Sequence, residues 1–283
     1  MTTGLIIHHG SPNWWLSPDI WLAKPPSTSS SPQVANPIAG TAYDVWVRVT
    51  NPTNEQLSTA FLPWLLQVVW AYPSAGSIPL SALPSDDNLN STSLDPIAGG
   101  ASVSIKCMNQ WTPKTGHECI VAWTNASNIA WPSDPYLEGD AGPGINWSIA
   151  QHNFSVVPAR HKVHFAFQVC NGAAEELSFD VAARQAPLQE IEALLPGVPG
   201  GRAVLDRPGK FERLGIVASG NASDAELEQA SAELKVKIAP RSCLAFTMGG
   251  VLPTGNALIN ITQARQERVV GGLSVLAMAD EQK

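Results

Sequence analysis

The sequence predicts an all-β protein made of two antiparallel β-sandwiches in tandem, and three observations lead there. Residues 41–52 read T-A-Y-D-V-W-V-R-V-T-N-P, with Tyr43, Val45, Val47 and Val49 on one face and Asp44, Trp46, Arg48 and Thr50 on the other. An α-helix turns by about 100° per residue and would scatter that apolar set, whereas a strand keeps it on one side. Charged residues make up only 14% of the chain while Pro (23) and Gly (22) abound, which suits short strands joined by many turns. The composition also changes near residue 160. All ten Trp and 17 of the 23 Pro come before it, and 26 of the 41 charged residues come after. At 283 residues there is room for two ordinary domains. The expected division is a Trp-rich 1–160 with long Pro/Gly loops and a second unit at 161–283, joined near Pro158-Ala159-Arg160-His161.

Each element can be justified in order. Residues 19–22 form a short first strand, and 24–40, rich in Pro and Ser, reads as a loop. The strand at 43–50 ends at Asn51-Pro52, because Pro has no N–H to give to a ladder. Residues 64–72 alternate Leu66, Val68 and Trp70 with Gln67, Val69 and Ala71, and 73–100 carries few strand signals. Residues 102–108 and 117–125 are expected to form a hairpin around the turn-formers at 113–116. A second Pro/Gly-rich excursion at 128–144 leads to a strand at 149–157. In the second half, 162–171 alternates Val163, Phe165, Phe167 and Val169 with His164, Ala166 and Gln168. Residues 176–183 read as its hairpin partner across Asn171-Gly172. Further strands are expected at 213–218, 234–239, 242–248, 257–262 and 269–278. Short helices are expected at 187–195 and 223–231, the second capped by Ser223. About seven short strands per half is the pattern of a sandwich.

The formal net charge of −7 and the lack of a basic stripe exclude a nucleic-acid footprint. No apolar run approaches the roughly 18 residues of a membrane span. The longest apolar patch, 60–72, is interrupted by Pro63 and Gln67. The first ten residues lack the basic and long apolar regions of a secretory signal. Localisation stays open between cytoplasmic synthesis with assembly and non-classical export. Six N-x-S/T sequons (Asn90, Asn125, Asn146, Asn153, Asn221, Asn260) then read as chance in a Ser/Thr-rich chain. Four cysteines occur without a C-x-x-C pair, which excludes a zinc ribbon or redox motif in its usual form. Cys107 with Cys119 and Cys170 with Cys243 are the two candidate disulfides, and buried free thiols are the expected state.

Several motifs carry a family resemblance. They are Trp14-Trp15-Leu16-Ser17-Pro18-Asp19-Ile20-Trp21, the run from Tyr43 to Asn51, Val69-Trp70-Ala71-Tyr72, the run from Gly116 to Trp123, and residues 146–157. Over residues 12–157 the chain resembles bacterial immunoglobulin-like adhesion-type modules, the CARDB-like group appended to secreted or surface proteins. In that group a V-x-V-x-N strand and a late N-N-x-A-x-x-N strand frame the sandwich. Here the late strand reads Asn146-Trp147-Ser148-Ile149-Ala150-Gln151-His152-Asn153, a departure from the pattern. The second half shares only its V-x-N and a Gly271-Gly272-Leu273-Ser274-Val275 ending. The resemblance implies two tandem immunoglobulin-like antiparallel β-sandwiches with no enzymatic activity, serving as a spacer, binding or assembly module. The missing signal departs from the secreted pattern.

His8 and His9 offer two metal ligands, but a site needs three or four converging, and nothing adjacent completes one. His117, His152, His161 and His164 are dispersed and read as structural or exposed imidazoles. Asp134, Glu138 and Asp140 crowd one loop and have the oxygen chemistry for calcium. The spacing is not that of an EF-hand, and a solvated loop is the plainer reading. There is no G-x-S-x-G elbow, and Gly197-Val198-Pro199-Gly200-Gly201 lacks the Lys-Ser/Thr of a phosphate loop. No catalytic, cofactor or metal site is expected.

The Trp set is different. A small sandwich takes one or two indoles into its core, and the rest cover ends or faces. Trp46 opposes the Tyr43/Val45/Val47 face, so the strand is buried on both sides or Trp46 marks a contact surface. Trp14, Trp15 and Trp21, in a Pro-flanked segment, join Trp46 as the candidate partner or ligand contacts, with internal packing as the competing reading. The expected role is a non-enzymatic structural or accessory protein that binds a protein partner or itself, as a subunit of a larger extracellular-type or virion-like assembly. The alternative is a carbohydrate-binding module using exposed Trp of the first half.

Overall fold

The computed structural model describes residues 4–11, 13–34, 37–56, 64–71, 88–113, 119–126, 149–159, 161–194 and 201–279. The acidic loop at 134–140, most of the excursions at 73–100 and 128–144, and the glycine run at 197–200 lie outside them. The described chain is all-β, in four sheets that face each other in two pairs.

The first pair sets β1 (Ile20–Ala23), β2 (Asp44–Thr50) and β5 (Ser102–Lys106) in the order β1-β2-β5. Facing them are β3 (Trp64–Ala71), β4 (Asn88–Ser93), β6 (Cys119–Ala126) and β7 (Ile149–His152), in the order β4-β3-β6-β7. Tyr43, Val45, Val47 and Val49 enter the core against Leu66, Val68, Trp70, Ile120 and Ala122, as the period-two pattern requires. Asp44 and Trp46 on the opposite face are buried too, so β2 is covered on both sides.

The second pair contains β8 (Phe154–Ala159), β9 (His161–Asn171), β10 (Leu177–Gln185), β11 (Arg213–Val217), β12 (Glu233–Ile238), β13 (Ser242–Leu252), β14 (Ala257–Arg265) and β15 (Arg268–Ala279). Its sheets run β12-β10-β14-β15-β8 and β11-β13-β9. Phe165, Phe167, Phe246 and Met248 of one sheet meet Phe179, Val181, Ile259 and Val275 of the other. Every strand pair is antiparallel except β8 with β15, which is parallel. Three short helices, α1 (Leu188–Leu194), α2 (Arg202–Asp206) and α3 (Asp224–Gln229), lie in the connections. α3 begins with the Ser223 cap, in a capping box closed by Glu226.

Both expected hairpins are wrong. β5 pairs with β2, while β6 pairs with β3 and β7 in the facing sheet. Likewise β9 pairs with β13, and β10 pairs with β12 and β14. Alternation fixes which face of a strand is buried but not which strand lies alongside, so facing strands can pass for hairpin partners. β4, with the polar sequence N-L-N-S-T-S, escaped notice because Asn90 rather than an apolar residue occupies a buried position. Residues 149–157 are split at Asn153, after which β8 joins β15. Pairing therefore changes partners before the composition break at residue 160.

The two pairs share one topology. The β2–β5, β3–β4, β3–β6 and β6–β7 pairings recur as β9–β13, β10–β12, β10–β14 and β14–β15. Cys170 and Cys243 stand opposite each other in the β9–β13 register and form a disulfide, where free thiols were expected. Cys107 and Cys119 are buried free thiols.

Candidate functional site

The four candidate Trp fall into two places. Trp15 leaves the first pair of sheets and inserts against the outside of the second, among Phe154, Val156, Ile191, Leu258 and Leu276. Its indole N–H donates to Ser274 Oγ at 2.9 Å, and that hydroxyl donates to Asn260 Oδ1 at 2.7 Å. Asn260 Nδ2 then donates to Glu190 Oε1 at 2.6 Å, which also accepts from Asn13 Nδ2 at 3.2 Å. Arg184 holds the other Glu190 oxygen at 2.8 Å. The backbone adds Asn153 N–H to the Trp15 carbonyl and Ser17 N–H to the Gln151 carbonyl. Asn153 Nδ2 reaches the Gly272 carbonyl at 2.8 Å. A Cβ on Gly272 would lie 2.1 Å from the Trp15 ring, so this approach requires glycine. Trp14 is half-buried and packs edge-on to Trp15, with ring centroids 5.7 Å apart.

Trp21 and Trp46 stand opposite each other in the β1–β2 register on the outer face of the first pair, with rings stacked 6.1 Å apart. The Arg48 guanidinium lies 5.6 Å from the Trp21 centroid. Trp46 Nε1 donates to Ser27 Oγ, and Ser27 donates its hydroxyl to Asp44 Oδ2 at 2.7 Å. Gln110 Nε2 donates to Asp44 Oδ1 at 2.9 Å, and Lys106 stands 3.8 Å away. Burial alone would raise the Asp44 pKa, but the Ser27 and Gln110 hydrogen bonds and the Lys106 charge outweigh it and hold the carboxyl below its ordinary value. Asp19 closes the other end, accepting from His8 Nδ1 at 2.6 Å and lying 3.4 Å from Arg48. Trp15, Trp21 and Trp46 are thus 3%, 4% and 9% exposed. Only Trp14 of the four keeps a substantial open face.

The remaining reactive groups are tied into the scaffold. His9 Nε2 bonds the Ile149 carbonyl at 2.7 Å, and burial pushes the His152 pKa down while its Nδ1 donates to the Ser17 carbonyl. Burial pushes the Cys107 thiol up to about 12 and raises that of Cys119 further, so neither forms a ready thiolate. Asp224 joins Lys162 at 2.6 Å and His164 at 2.8 Å on the open surface beside α3. Among the described residues no group of three or more His, Cys, Asp or Glu could hold a metal ion, and no helix is long and apolar enough to cross a membrane. The side chains of Asn90, Asn153 and Asn260 are buried and bonded internally, which removes those three sequons from reach of a glycan. The sequence reading missed Ser274, Asn260 and Glu190 as partners of Trp15. Gly271-Gly272 inside a strand was the available signal, since such glycines mark close approach.

No family model matches the chain, the CARDB-like group included, and no curated protein matches it. Solved structures it is similar to include BspA_C_WT, at 8% identity over 92% of this chain and 99% of that one, with a TM-score of 0.22. Another is the CupB6 tip adhesin from Pseudomonas aeruginosa, at 10% identity over 93% of this chain and 98% of that one, with a TM-score of 0.24. A third is red sea bream transglutaminase, at 12% identity over 88% of this chain, with a TM-score of 0.23, and the chain spans 30% of its length. Likenesses at these scores carry no argument, and the all-β fold rests on the chain's own sheets.

Proposed function

We propose that the chain is a non-enzymatic structural or accessory protein that binds other proteins, with its two sheet pairs acting as tandem modules that meet at Asn153. The observation that carries this reading is the Trp15 joint. A hydrogen-bonded chain from Asn13 to Ser274, seated over Gly272, fixes the first segment of the protein to the outside of the second sheet pair. Such a joint suits a spacer or an assembly subunit, whose task is to hold binding surfaces at a set geometry. The protonated thiols and bonded carboxylates add support, because they are arranged for stability rather than for proton or group transfer. Trp14, beside the joint and half-open, is the proposed contact residue. A CARDB-like origin and a place in an extracellular-type or virion-like assembly fit the same reading.

The test is the mass in solution across a concentration series, by light scattering after size exclusion, for the natural chain and Trp14→Ala. A mass above the 30.1 kDa monomer that Trp14→Ala reduces supports self-assembly through this face. A strict monomer at every concentration sinks self-assembly and leaves a different protein as the partner to be sought.

A further inference from the structure

β9 is an edge strand, and along its second edge no strand lies beside it among the described residues. The register with β13 shows which backbone groups point there. Cys170 stands opposite Cys243 with the Cα atoms 4.1 Å apart, the close spacing of an antiparallel pair that exchanges no ladder hydrogen bonds. Its N–H and C=O therefore turn away from β13, and the Cys170 carbonyl accepts from Gln263 Nε2 at 2.9 Å instead. Direction alternates from residue to residue along a strand, so His164, Ala166 and Gln168 turn the same way as Cys170. Among the described residues the N–H and C=O of these three have no partner on that side. His164 and Ala166 are exposed, and Gln168 is partly so.

The first half shows what such an edge can hold. Counting back from Asn51 and Asn171, Thr50 corresponds to Cys170, Arg48 to Gln168, Trp46 to Ala166 and Asp44 to His164. Thr50 pairs with Ser102, and their hydroxyls bond at 2.7 Å where the second half has its disulfide. On the side of β2 away from β5, Thr50 exchanges both backbone hydrogen bonds with Ile6, and Arg48 N–H donates to the Asp19 carbonyl. β1 lies antiparallel against Asp44 to Val47 on that same side. Each position left open on β9 thus corresponds to one on β2 that has a neighbour. The strand before β9 does not supply the missing one, because β8 runs beside β15 in the facing sheet.

We infer that this edge pairs with β9 of a second copy of the chain, antiparallel about a two-fold axis at Ala166. Ala166 then faces Ala166 of the second copy, and His164 faces its Gln168, so each outward N–H meets a carbonyl of the other strand. The side chains favour this partner. Sheet edges are commonly defended by charge, as on β12, where Lys235 and Lys237 are exposed. The middle of β9 is uncharged, and the cationic groups at its start, Lys162 and His164, are held by Asp224 of α3 at 2.6 and 2.8 Å. A parallel arrangement would set Lys162 on Lys162 and His164 on His164. The antiparallel one moves them to opposite ends and puts an amide across from each imidazole. Ala166, in the place of Trp46, leaves the axis without bulk. The two three-stranded sheets become one of order β11-β13-β9-β9-β13-β11. So short a ladder falls below the ~1,200 Å² of standard interfaces, which makes the dimer weak and reversible. It is separate from the Trp14 face proposed above.

The experiment measures mass by sedimentation equilibrium up to millimolar concentration, for the natural full chain and for Ala166→Glu, Ala166→Lys and Trp14→Ala. Ala166 is exposed, so both charged variants leave the core intact, which their urea midpoints check. The natural chain is expected to rise from 30.1 kDa towards twice that mass. Each charged variant sets like charges against each other at the axis and should raise the dimer dissociation constant by roughly tenfold or more. An equimolar mixture of the two should dimerise again, since opposite charges then face each other, and Trp14→Ala should leave the dimer unchanged. A natural chain that stays monomeric at every concentration overturns the inference, as do charged variants that dimerise like the natural chain. A mixture no more associated than its components overturns it as well. Loss of the dimer in Trp14→Ala alone assigns self-association to the Trp14 face and rejects β9.

Discussion

Replacing Gly272 with Ala probes the Trp15 joint with a single methyl group. The new Cβ would lie 2.1 Å from Cε3, 2.2 Å from Cδ2 and 2.4 Å from Cζ3 of the indole. Carbon atoms pack comfortably at about 3.5–4.0 Å, so the ring must move by more than ~1 Å. It has little room, being 3% exposed and packed in the same cluster as Phe154, Ile191 and Leu276. Moving it also breaks the bond to Ser274, on which Asn260 and Glu190 depend. Overpacking costs about 1–3 kcal/mol, and the lost hydrogen bond adds roughly 1 kcal/mol. Restricting the unfolded chain returns about 0.4–1 kcal/mol, which leaves a net destabilisation of roughly 2 kcal/mol. Urea unfolding reads this as a lower midpoint at unchanged slope. The decisive comparison is a double-mutant cycle with Trp15→Ala, which by itself should cost about 3–5 kcal/mol. Once the ring is gone, the methyl enters the vacated space and Gly272→Ala becomes close to neutral, giving a coupling of roughly 2 kcal/mol. If Gly272→Ala costs the same in both backgrounds, the clash with Trp15 is not its cause and the joint is not the close contact described.

Two further outcomes are expected. Asn51→Ala and Asn171→Ala each remove a buried amide bonded to carbonyls of two segments, Glu55 and Ile97 in one case and Glu175 and Ile238 in the other. Each should cost roughly 2–3 kcal/mol in urea unfolding, and one corner proving neutral would show that the two are not equivalent. Asp44 has a folded pKa below its ordinary 3.8, so its contribution is present above that value and lost as pH falls through the lower folded one. The stability gap between the natural chain and Asp44→Asn should therefore narrow between about pH 5 and about pH 2. A gap that stays constant over that range means the carboxylate is not held by Ser27, Gln110 and Lys106.

Much of the architecture was legible because single strands announce themselves. The buried face of β2 and that of β9 could be read from alternation alone, and Ser223 marked the start of α3 through local hydrogen bonding. What could not be read depends on distance along the chain. Trp15 finds Ser274 across 259 positions, and no periodicity in residues 12–22 encodes that. The stacked Trp21 and Trp46 illustrate the same limit. A Trp opposite a core face signals that something covers it, and within the chain Ser27 bonds Trp46 while the guanidinium of Arg48 lies over Trp21.

The Asn at the end of β9 shows why a strand ending was mistaken for a hairpin turn. An Asn follows β2 and an Asn ends β9, each followed four positions on by a Glu: Val49-Thr50-Asn51 before Glu55, and Val169-Cys170-Asn171 before Glu175. In each, the side-chain oxygen accepts the N–H two residues ahead, from Thr53 or Ala173, while Nδ2 donates to the carbonyl four residues ahead. The same Nδ2 also donates to an Ile carbonyl, Ile97 or Ile238, on the segment leading into the strand that pairs with it. A chain that crosses from one sheet to the facing sheet leaves both ladders at the corner, and its backbone groups need partners that a two-residue hairpin would not require. One buried amide, with two donors and an acceptor, supplies three of them. The V-x-N signal therefore marks a crossover between facing sheets. Its recurrence at the same corner of the same six-strand topology indicates that the two halves are built to one plan, although their compositions differ. Among the described residues the halves differ in what each adds to that plan: the aromatic segment and β1 in the first, and β8, β11 and the helices in the second.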